Sequence, residues 1–198
     1  MSRYPASTTF RLAGQCDPTL LLLEHDPVIT VGRRGDLGDV LVDAATLGAR
    51  GIAFHQAERG GRATYHGPGQ LVAYPIAPLR SMARDVTTYV RRIEEALIRT
   101  VARVGLMAEQ RECQPGVWVG DAKLGSIGIA ITRGVCWHGF ALNVDPDLDA
   151  FRLIRPCGLE VEVTSIARCL GHAPPMHELA MMVAEELARP YEALGTRQ

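Results

Sequence analysis

The chain has 198 residues, enough for one domain with a real core and short for two. A hydrophobic content of 47% with 22% charged residues excludes intrinsic disorder, and a formal net charge of −1 argues against broad nucleic-acid binding. No apolar run reaches membrane-span length, the N-terminus lacks a signal-peptide core, and five scattered cysteines without a Cys-x-x-Cys motif indicate reduced thiols. We therefore expect a cytoplasmic protein with neither a membrane nor a nucleic-acid partner. We also expect a monomer, although the sequence does not fix the oligomeric state.

The first half of the chain predicts short strands followed by a loop rich in glycine and proline. Residues 1–18 show no firm period and are expected to form a poorly defined N-terminal segment. Apolar runs predict strands over Thr19–His25, Val28–Val31 and Ile52–Gln56. The next stretch, Arg59–Ile76, reads RGGRATYHGPGQLVAYPI and ends in an alternating strand.

The clearest predicted helix runs from Asp85 to Val104. Its apolar residues recur at steps of three and four, so they form one stripe along the helix. Asp85 is a suitable N-cap, and Gly105 is a suitable C-terminal stop. The arginines on this helix are expected to form a solvated face.

The second half changes to a period of two. Strands are predicted over Gly116–Val119, Ala122–Ile131 and Val135–Val144, with turns at Gly120–Asp121 and Arg133–Gly134. Thr164 is then expected to cap a short helix, and Pro174–Pro175 to open a last helix that ends near Ala188. No repeat or linker divides the chain, so a single α+β domain over residues 1–198 is the simplest account.

The stretch Arg59–Ile76 supports two interpretations. Gly60–Gly61 lets the backbone take strained dihedrals or approach a ligand closely, and Pro68 stiffens the HGPGQ turn. A rigid turn that carries His66 is typical of a pocket wall. A Gly/Pro hairpin with a chance histidine fits the composition equally well.

Two further residues are candidates for chemistry. Of 21 basic residues 20 are arginine, and Lys123 is the only lysine. Unlike arginine, a desolvated lysine can lose its proton and act as a base. The alternative is a leftover surface lysine without a role. Cys157 lies between Pro156 and Gly158 on a predicted loop. As a nucleophile its thiol needs a nearby base or cation, for which Lys123, His66 and His138 are candidates.

The remaining cysteines point away from catalysis and from metal binding. Cys136 and Cys169 lie in predicted regular structure, where buried structural cysteines are common. Their neighbouring histidines, His138 and His172, do not repeat at metal-ligand spacing. We therefore expect neither a metal nor another cofactor.

Four segments in order, RGGRATYHGPGQLVAYPI, PGVWVGDAKLGSIGI, WHGFALNV and FRLIRPCGLE, resemble the lipoyl(octanoyl) transferases of lipoate biosynthesis. The similarity covers roughly Leu22 to Ile166. It implies a mixed, mainly antiparallel sheet flanked by helices, like the catalytic domain of the biotin and lipoate ligases. One departure is Glu58, where the family often has aspartate.

The resemblance also implies an activity, its partners and its residues. The family moves an octanoyl group from octanoyl-acyl carrier protein to a lysine of apo lipoyl domains, those of 2-oxoacid dehydrogenase complexes and the glycine cleavage H protein, through a cysteine thioester. Cys157 matches the acylated cysteine and Lys123 its partner lysine. The residues that match the substrate-binding segments are Arg59, Gly60, Gly61, Arg62, Ala63, Thr64, Tyr65, His66, Ser126, Ile127, Gly128, Gly139, Phe140 and Ala141.

Two other functions remain open from sequence. A lipoate or biotin ligase would share the fold but would bind ATP and form an acyl-adenylate; the Pro-Cys-Gly turn argues against it. A non-catalytic module that binds lipoyl domains or the carrier would need neither Cys157 nor Lys123. We predict a pocket-shaping role for His66, and for His138 a hydrogen-bonded place within a strand.

Overall fold

The computed structural model describes residues 18–155 and 161–189. The strands are β1 (Thr19–Leu23), β2 (Val28–Val31), β3 (Ala53–Gln56), β4 (Ala63–His66), β5 (Gln70–Pro78), β6 (Val117–Val119), β7 (Ala122–Thr132) and β8 (Val135–Asn143). The helices are α1 (Ala44–Ala49), α2 (Leu79–Met82), α3 (Val86–Arg103), α4 (Ile166–Leu170) and α5 (Met176–Ala188), with 3₁₀ turns at Leu37–Asp39 and Leu148–Leu153. None of these helices is long and apolar enough to cross a membrane.

The strands form two sheets. A five-stranded sheet has the order β1-β5-β8-β7-β6, and all its neighbours are antiparallel. A three-stranded sheet has the order β3-β2-β4, in which β2 is parallel to β3 and antiparallel to β4. The predicted α+β class with mainly antiparallel pairing is confirmed, with the strands divided between two sheets.

The stretch Arg59–Ile76 is not a hairpin. β4 belongs to the three-stranded sheet and β5 to the five-stranded sheet, so the turn between them carries the chain from one sheet to the other. In that turn the amide of Gln70 donates to the carbonyl of Gly67, Pro68 holds the second position, and Gly69 has φ 83° at the third. Glycine is required there because a type II turn needs positive φ at its third residue.

Side-chain caps mark the N-termini of α1, α3 and α4. Asp85 caps α3, since its carboxylate accepts from the amide of Thr88 at 2.7 Å, and the predicted helix is confirmed to within one residue at each end. The expected cap of α4 is wrong by one residue. Ser165, not Thr164, accepts from the amide of Arg168 at 3.1 Å, because Ser165 directly precedes the first helical residue.

The described residues form two apolar cores. The larger one packs α3 and α5 against one face of the five-stranded sheet, through residues such as Ile93, Leu97, Leu142 and Val183. The smaller one joins the three-stranded sheet to α1 and to the 3₁₀ turn at Leu148–Leu153. The other face of the five-stranded sheet borders a cleft.

Candidate active site

A large cleft of about 2230 Å³ lies against this face of the five-stranded sheet. It is lined by β1, β5, β7 and β8, by all three strands of the small sheet, and by the first half of α3 and the loop before β6. Along β5 the residues alternate: Leu71 and Ala73 face the helices, whereas Val72, Tyr74 and Ile76 line the cleft. The walls are mostly apolar, with polar groups at a few places, as in small-molecule sites.

The structure brings the first two predicted substrate segments together at this cleft. The amide of Gly60 donates to the carbonyl of Ile129 at 2.9 Å. A Cβ on Gly128 would lie 3.1 Å from the carbonyl oxygen of Gly60 and 3.2 Å from Arg59 Cδ. The glycines at 60 and 128 therefore allow the Arg59–Gly61 loop to pack on β7.

The two arginines of this segment have different surroundings. Arg59 is buried, and its guanidinium donates to the carbonyl and hydroxyl of Thr30 and to the carbonyl of Gly60. These hydrogen bonds hold the Arg59 guanidinium against β2. Arg62 instead donates to the buried carboxylate of Asp39 at 2.7 Å, which ties the loop to the 3₁₀ turn.

Tyr65 and His66 point to opposite sides of β4. Tyr65 is buried in the smaller core, where its ring meets Phe151 edge-on with centroids 5.5 Å apart. Among the predicted substrate-binding residues it is the one that does not line the cleft. His66, one position on, does line it, because successive side chains alternate along a strand.

Lys123 lies in the cleft wall near the start of β7. Its side chain is 7% exposed, and Nζ lies 5.1 Å from the centroid of the Trp118 ring, the residue opposite on β6. Gly116 packs against the lysine stem. The sole lysine is therefore a buried group at the cleft, and the alternative of a leftover surface lysine is wrong.

Cys157 lies outside the described residues, but both flanks of its loop are described. On one side the amide of Arg155 donates to the carbonyl of Asp39 at 2.8 Å. On the other side the Lys123 amide donates to the Glu162 carbonyl at 2.7 Å, and the Thr164 amide donates to the Lys123 carbonyl at 3.0 Å. The chain after Cys157 thus runs parallel to β7 at Lys123.

Three other cysteines are described, and all are free thiols. Cys136 is buried, and burial raises the pKa of its thiol to about 11, so it is not a nucleophile at neutral pH. Cys169 was expected to be buried, and this is wrong: it lies on the outer side of α4 and is exposed. Cys113 is exposed and lies at the edge of the cleft.

His138 interrupts β8 at the cleft. The pairing of β5 with β8 stops after Ala73 and resumes at Ala77, and Pro75 between them has no amide hydrogen to donate. At this break His138 adopts a left-handed φ of 57°, which is strained for a residue with a side chain. Its ring stacks on Trp137 with centroids 4.3 Å apart, so it is not an ordinary strand residue.

Gly139, the next residue, has the backbone of β5 where its side chain would be, so it adds no open space to the cleft. A Cβ there would collide with the carbonyl oxygen of Ala73. Its missing side chain therefore lets β8 approach β5 at the break. Ser126, Ile127, Gly128, Phe140 and Ala141 line the cleft together with it.

Three histidines and one tyrosine form a polar wall. His25 Nε2 lies 2.6 Å from the hydroxyl of Tyr74, and the His25 and His66 rings have centroids 5.7 Å apart. Burial, with the charge of Arg59 adding to it, lowers the pKa of both His66 and His138 to about 4. His66 and His138 are therefore neutral at pH 7, and burial also lowers the pKa of His25.

Sequence reasoning did not single out His25, which lies outside the motifs, or Tyr74, which lies on the strand that closes the Arg59–Ile76 motif. Gln70 had no assigned role, and its place in the HGPGQ motif was the available signal; the structure shows that it is buried. Within residues 18–155 and 161–189, no group of three or more His, Cys, Asp or Glu side chains could hold a metal ion.

Known proteins resemble this chain in sequence and in fold. Residues 6–188 match the lipoyl protein ligase A/B catalytic domain. The chain belongs to this family. An octanoyltransferase of Chloroflexus aggregans is 48% identical over 194 residues, which is 93% of this chain and 88% of that protein.

Solved structures show the same fold at lower identity. A crystal structure of lipoate-protein ligase A bound with ATP superposes with a TM-score of 0.73 at 20% identity, over 87% of this chain and 72% of the ligase. A bipartite lipoate protein ligase of Thermoplasma acidophilum, from an archaeal system studied with its E2 lipoyl domain, gives 0.71 at 21% identity, over 87% and 71%. The ligase-like fold predicted from the motifs is confirmed.

Proposed function

We propose that this chain is an octanoyltransferase that carries an octanoyl group from octanoyl-acyl carrier protein to the target lysine of an apo lipoyl domain. The name of its 48% identical relative supports octanoyl transfer. The archaeal ligase system with its E2 lipoyl domain supports a lipoyl domain as acceptor. Protein lipoylation is the process in which such a transfer takes part.

The observation that carries this proposal is the position of Lys123. Its buried side chain lies in the cleft wall, and its backbone pairs with Glu162 and Thr164, five and seven residues after Cys157. Phe151 and Val161, on either side of the Cys157 loop, also line the cleft. This arrangement supports a Cys157–Lys123 pair, in which an amine serves the thiol as its base.

In the first half-reaction Lys123 accepts the thiol proton of Cys157. The thiolate attacks the carbonyl carbon of the octanoyl thioester, and a new carbon–sulfur bond to Cys157 forms as the bond to the carrier's pantetheine sulfur breaks. Lys123 returns the proton to that leaving sulfur. The carrier then departs with a free thiol, and the octanoyl group stays on the enzyme.

In the second half-reaction the neutral amine of the lipoyl-domain lysine attacks the Cys157 thioester. The amide bond forms, the carbon–sulfur bond to Cys157 breaks, and Lys123 takes the proton that the amine loses. Because a thioester is exchanged for an amide, the step runs downhill without ATP. The mostly apolar cleft limits the competing attack by water.

The test is intact-mass analysis with peptide mapping after incubation with octanoyl-acyl carrier protein. We expect one octanoyl adduct on Cys157, no stable adduct in Cys157→Ser, and an undiminished adduct in the control Cys113→Ser, whose thiol is exposed at the edge of the cleft. Lys123→Arg keeps the positive charge, but arginine cannot lose its proton and so cannot act as the base. This variant should therefore become acylated about 10²–10⁴-fold more slowly.

The same assay separates the rival functions. An adduct on another residue would overturn the assignment of Cys157. Pyrophosphate release that depends on ATP and octanoate would indicate a ligase. Carrier binding by a chain that never becomes acylated would indicate a binding module.

A further inference from the structure

A row of buried polar side chains connects His66 to the chain beside Lys123. His66 Nδ1 lies 2.6 Å from Gln70 Oε1, Gln70 Nε2 donates to Asn143 Oδ1 at 2.8 Å, and Asn143 Nδ2 donates to the Thr164 carbonyl at 2.9 Å. Gln70 is 2% exposed, and Asn143 and Thr164 are each 5% exposed. Buried amides at these positions cost stability unless they are hydrogen-bonded, so the row has one consistent arrangement.

The Thr164 carbonyl, at one end of the row, determines which ring nitrogen of His66, at the other end, carries the hydrogen. A backbone carbonyl can only accept, so Asn143 must turn its NH₂ group toward Thr164 and its oxygen toward Gln70. Gln70 must then turn its NH₂ toward Asn143 and its oxygen toward His66. An oxygen accepts, so the hydrogen of the neutral imidazole lies on Nδ1.

Nε2 of His66 is consequently the nitrogen with a free lone pair. None of residues 18–155 and 161–189 hydrogen-bonds to Nε2, and the side chain lines the cleft. Because burial lowers the pKa of His66 to about 4, the ring stays neutral at pH 7. His66 therefore offers an acceptor to the cleft and no donor.

An acceptor at Nε2 excludes a role for His66 in stabilising the acyl donor and favours a role in binding the acyl acceptor. The reacting centre of an acyl donor is a carbonyl, whose oxygen also accepts, so Nε2 cannot stabilise it. The acyl acceptor is an amine, which does bring N–H groups. We propose that His66 Nε2 accepts a hydrogen bond from the attacking amine, and that Gln70 and Asn143 are positioning residues that select this tautomer.

The proposal rests on the proposed octanoyl transfer, and it concerns the second half-reaction alone. With one N–H held by His66, the lone pair of the amine is free to face the thioester carbon, while Lys123 takes the departing proton. The Thr164 amide donates to the Lys123 carbonyl at 3.0 Å, so the fixed end of the row is attached to the residue that works with it. Orientation of this kind accelerates attack without a transferred proton.

The tautomer can be measured directly by long-range ¹H–¹⁵N NMR of the imidazoles, with the His66 signals assigned by their loss in His66→Asn. We expect a protonated Nδ1 and an unprotonated Nε2 in the wild-type chain. In Gln70→Leu, which removes the oxygen beside Nδ1, we expect the Nε2-protonated form to appear. An Nε2-protonated ring in the wild-type chain would overturn the proposal.

Matched variants test the role in transfer. The amide of His66→Asn can still donate to Gln70 but offers nothing at Nε2, whereas the longer His66→Gln places an amide oxygen near that position. We expect His66→Asn to slow the transfer of octanoyl to a lipoyl domain about tenfold more than it slows acyl-enzyme formation, the effect of one hydrogen bond. His66→Gln should recover part of the loss.

The remaining outcomes are decisive against the proposal. If His66→Asn slows acyl-enzyme formation as much as transfer, or slows neither, His66 does not serve the amine. If the wild-type chain forms no acyl-enzyme at all, the proposed function fails and the role in transfer fails with it. The NMR measurement distinguishes these cases, since the tautomer is read without any substrate.

Discussion

Gly116 packs against Lys123 so closely that a Cβ atom at Gly116 would lie 2.6 Å from Cε of the lysine. The same Cβ would lie 2.5 Å from the Gly125 carbonyl oxygen, and the φ of Gly116 is 138°. The amide of Gly116 donates to the buried carboxylate of Glu94 at 2.9 Å. The position of the lysine side chain therefore depends on a glycine seven residues earlier and on a helix residue that holds it.

Gly116→Ala should displace the Lys123 side chain and slow acylation at least about tenfold, with a backbone penalty on the order of 1–3 kcal/mol. The control is Gly120→Ala, which also has positive φ, 53°, but no atom within 4 Å of its Cβ. That variant should lose about 1 kcal/mol and keep its acylation rate. Burst acylation and urea unfolding measure both quantities, and full activity in Gly116→Ala would contradict the argument.

Glu94→Gln tests the buried carboxylate that holds Gly116. Glu94 is 1% exposed and also accepts from Arg91 at 3.0 Å, so the neutral amide would weaken two charge-assisted hydrogen bonds. We expect a loss of about 1–3 kcal/mol in the free energy of unfolding. In the neighbouring Glu95→Gln, where the carboxylate lies 3.9 Å from Arg99, the loss should be under about 1 kcal/mol.

Stability should fall as the pH decreases from about 6.5 toward about 4. His66 and His138 have ordinary pKa values of 6.5 when unfolded and pKa values of about 4 when folded, so the unfolded chain binds protons first. The contribution of these two neutral histidines to the free energy of unfolding is complete above pH 6.5. It is lost between pH 6.5 and pH 4, and the loss is on the order of a few kcal/mol. Hydrogen bonds from Thr46 and Thr88 lower the pKa values of Asp43 and Asp85, whose effect appears only below about pH 4.

Urea midpoints between pH 4.5 and pH 8 measure this dependence. The double variant His66→Asn, His138→Asn should flatten the curve, and asparagine tolerates the left-handed φ at position 138. An equally steep curve in the double variant would assign the loss to other groups.

Gly139→Ala should be among the most damaging single changes in the sheet. The added methyl group would collide with the Ala73 carbonyl, so β5 and β8 must separate, at a cost above about 3 kcal/mol. Gly125→Ala in β7 is the matched control, because its nearest contact would be 3.3 Å. Thermal unfolding should show a clear decrease in Tm for the first variant and a small change for the second.

Much of the local structure follows from the sequence because its causes are local. Asp85 and the apolar stripe define α3, and the turn at Arg133–Gly134, with φ values of 50° and 79°, joins β7 to β8 as predicted. The special residues Lys123 and Cys157 stand out by composition and by their neighbours. The motifs around them also indicated the family.

Contacts between distant residues required the tertiary structure. Sequence showed Arg59–Ile76 as one stretch, but the two sheets divide it, with Tyr65 in the smaller core and His66 in the cleft. The left-handed His138 accompanies a break in pairing opposite Pro75, and its strain is invisible in the period-two pattern.

The sequence alone therefore determined the helix, the hairpin, the family and the two reactive candidates, because capping, periodicity and motifs act over a few residues. Only the tertiary structure decided that Gly116 supports Lys123 and that the Thr164 carbonyl sets the hydrogen on His66 through Gln70 and Asn143. Such relationships depend on which strands become neighbours, and strand pairing joins residues that are far apart in the chain.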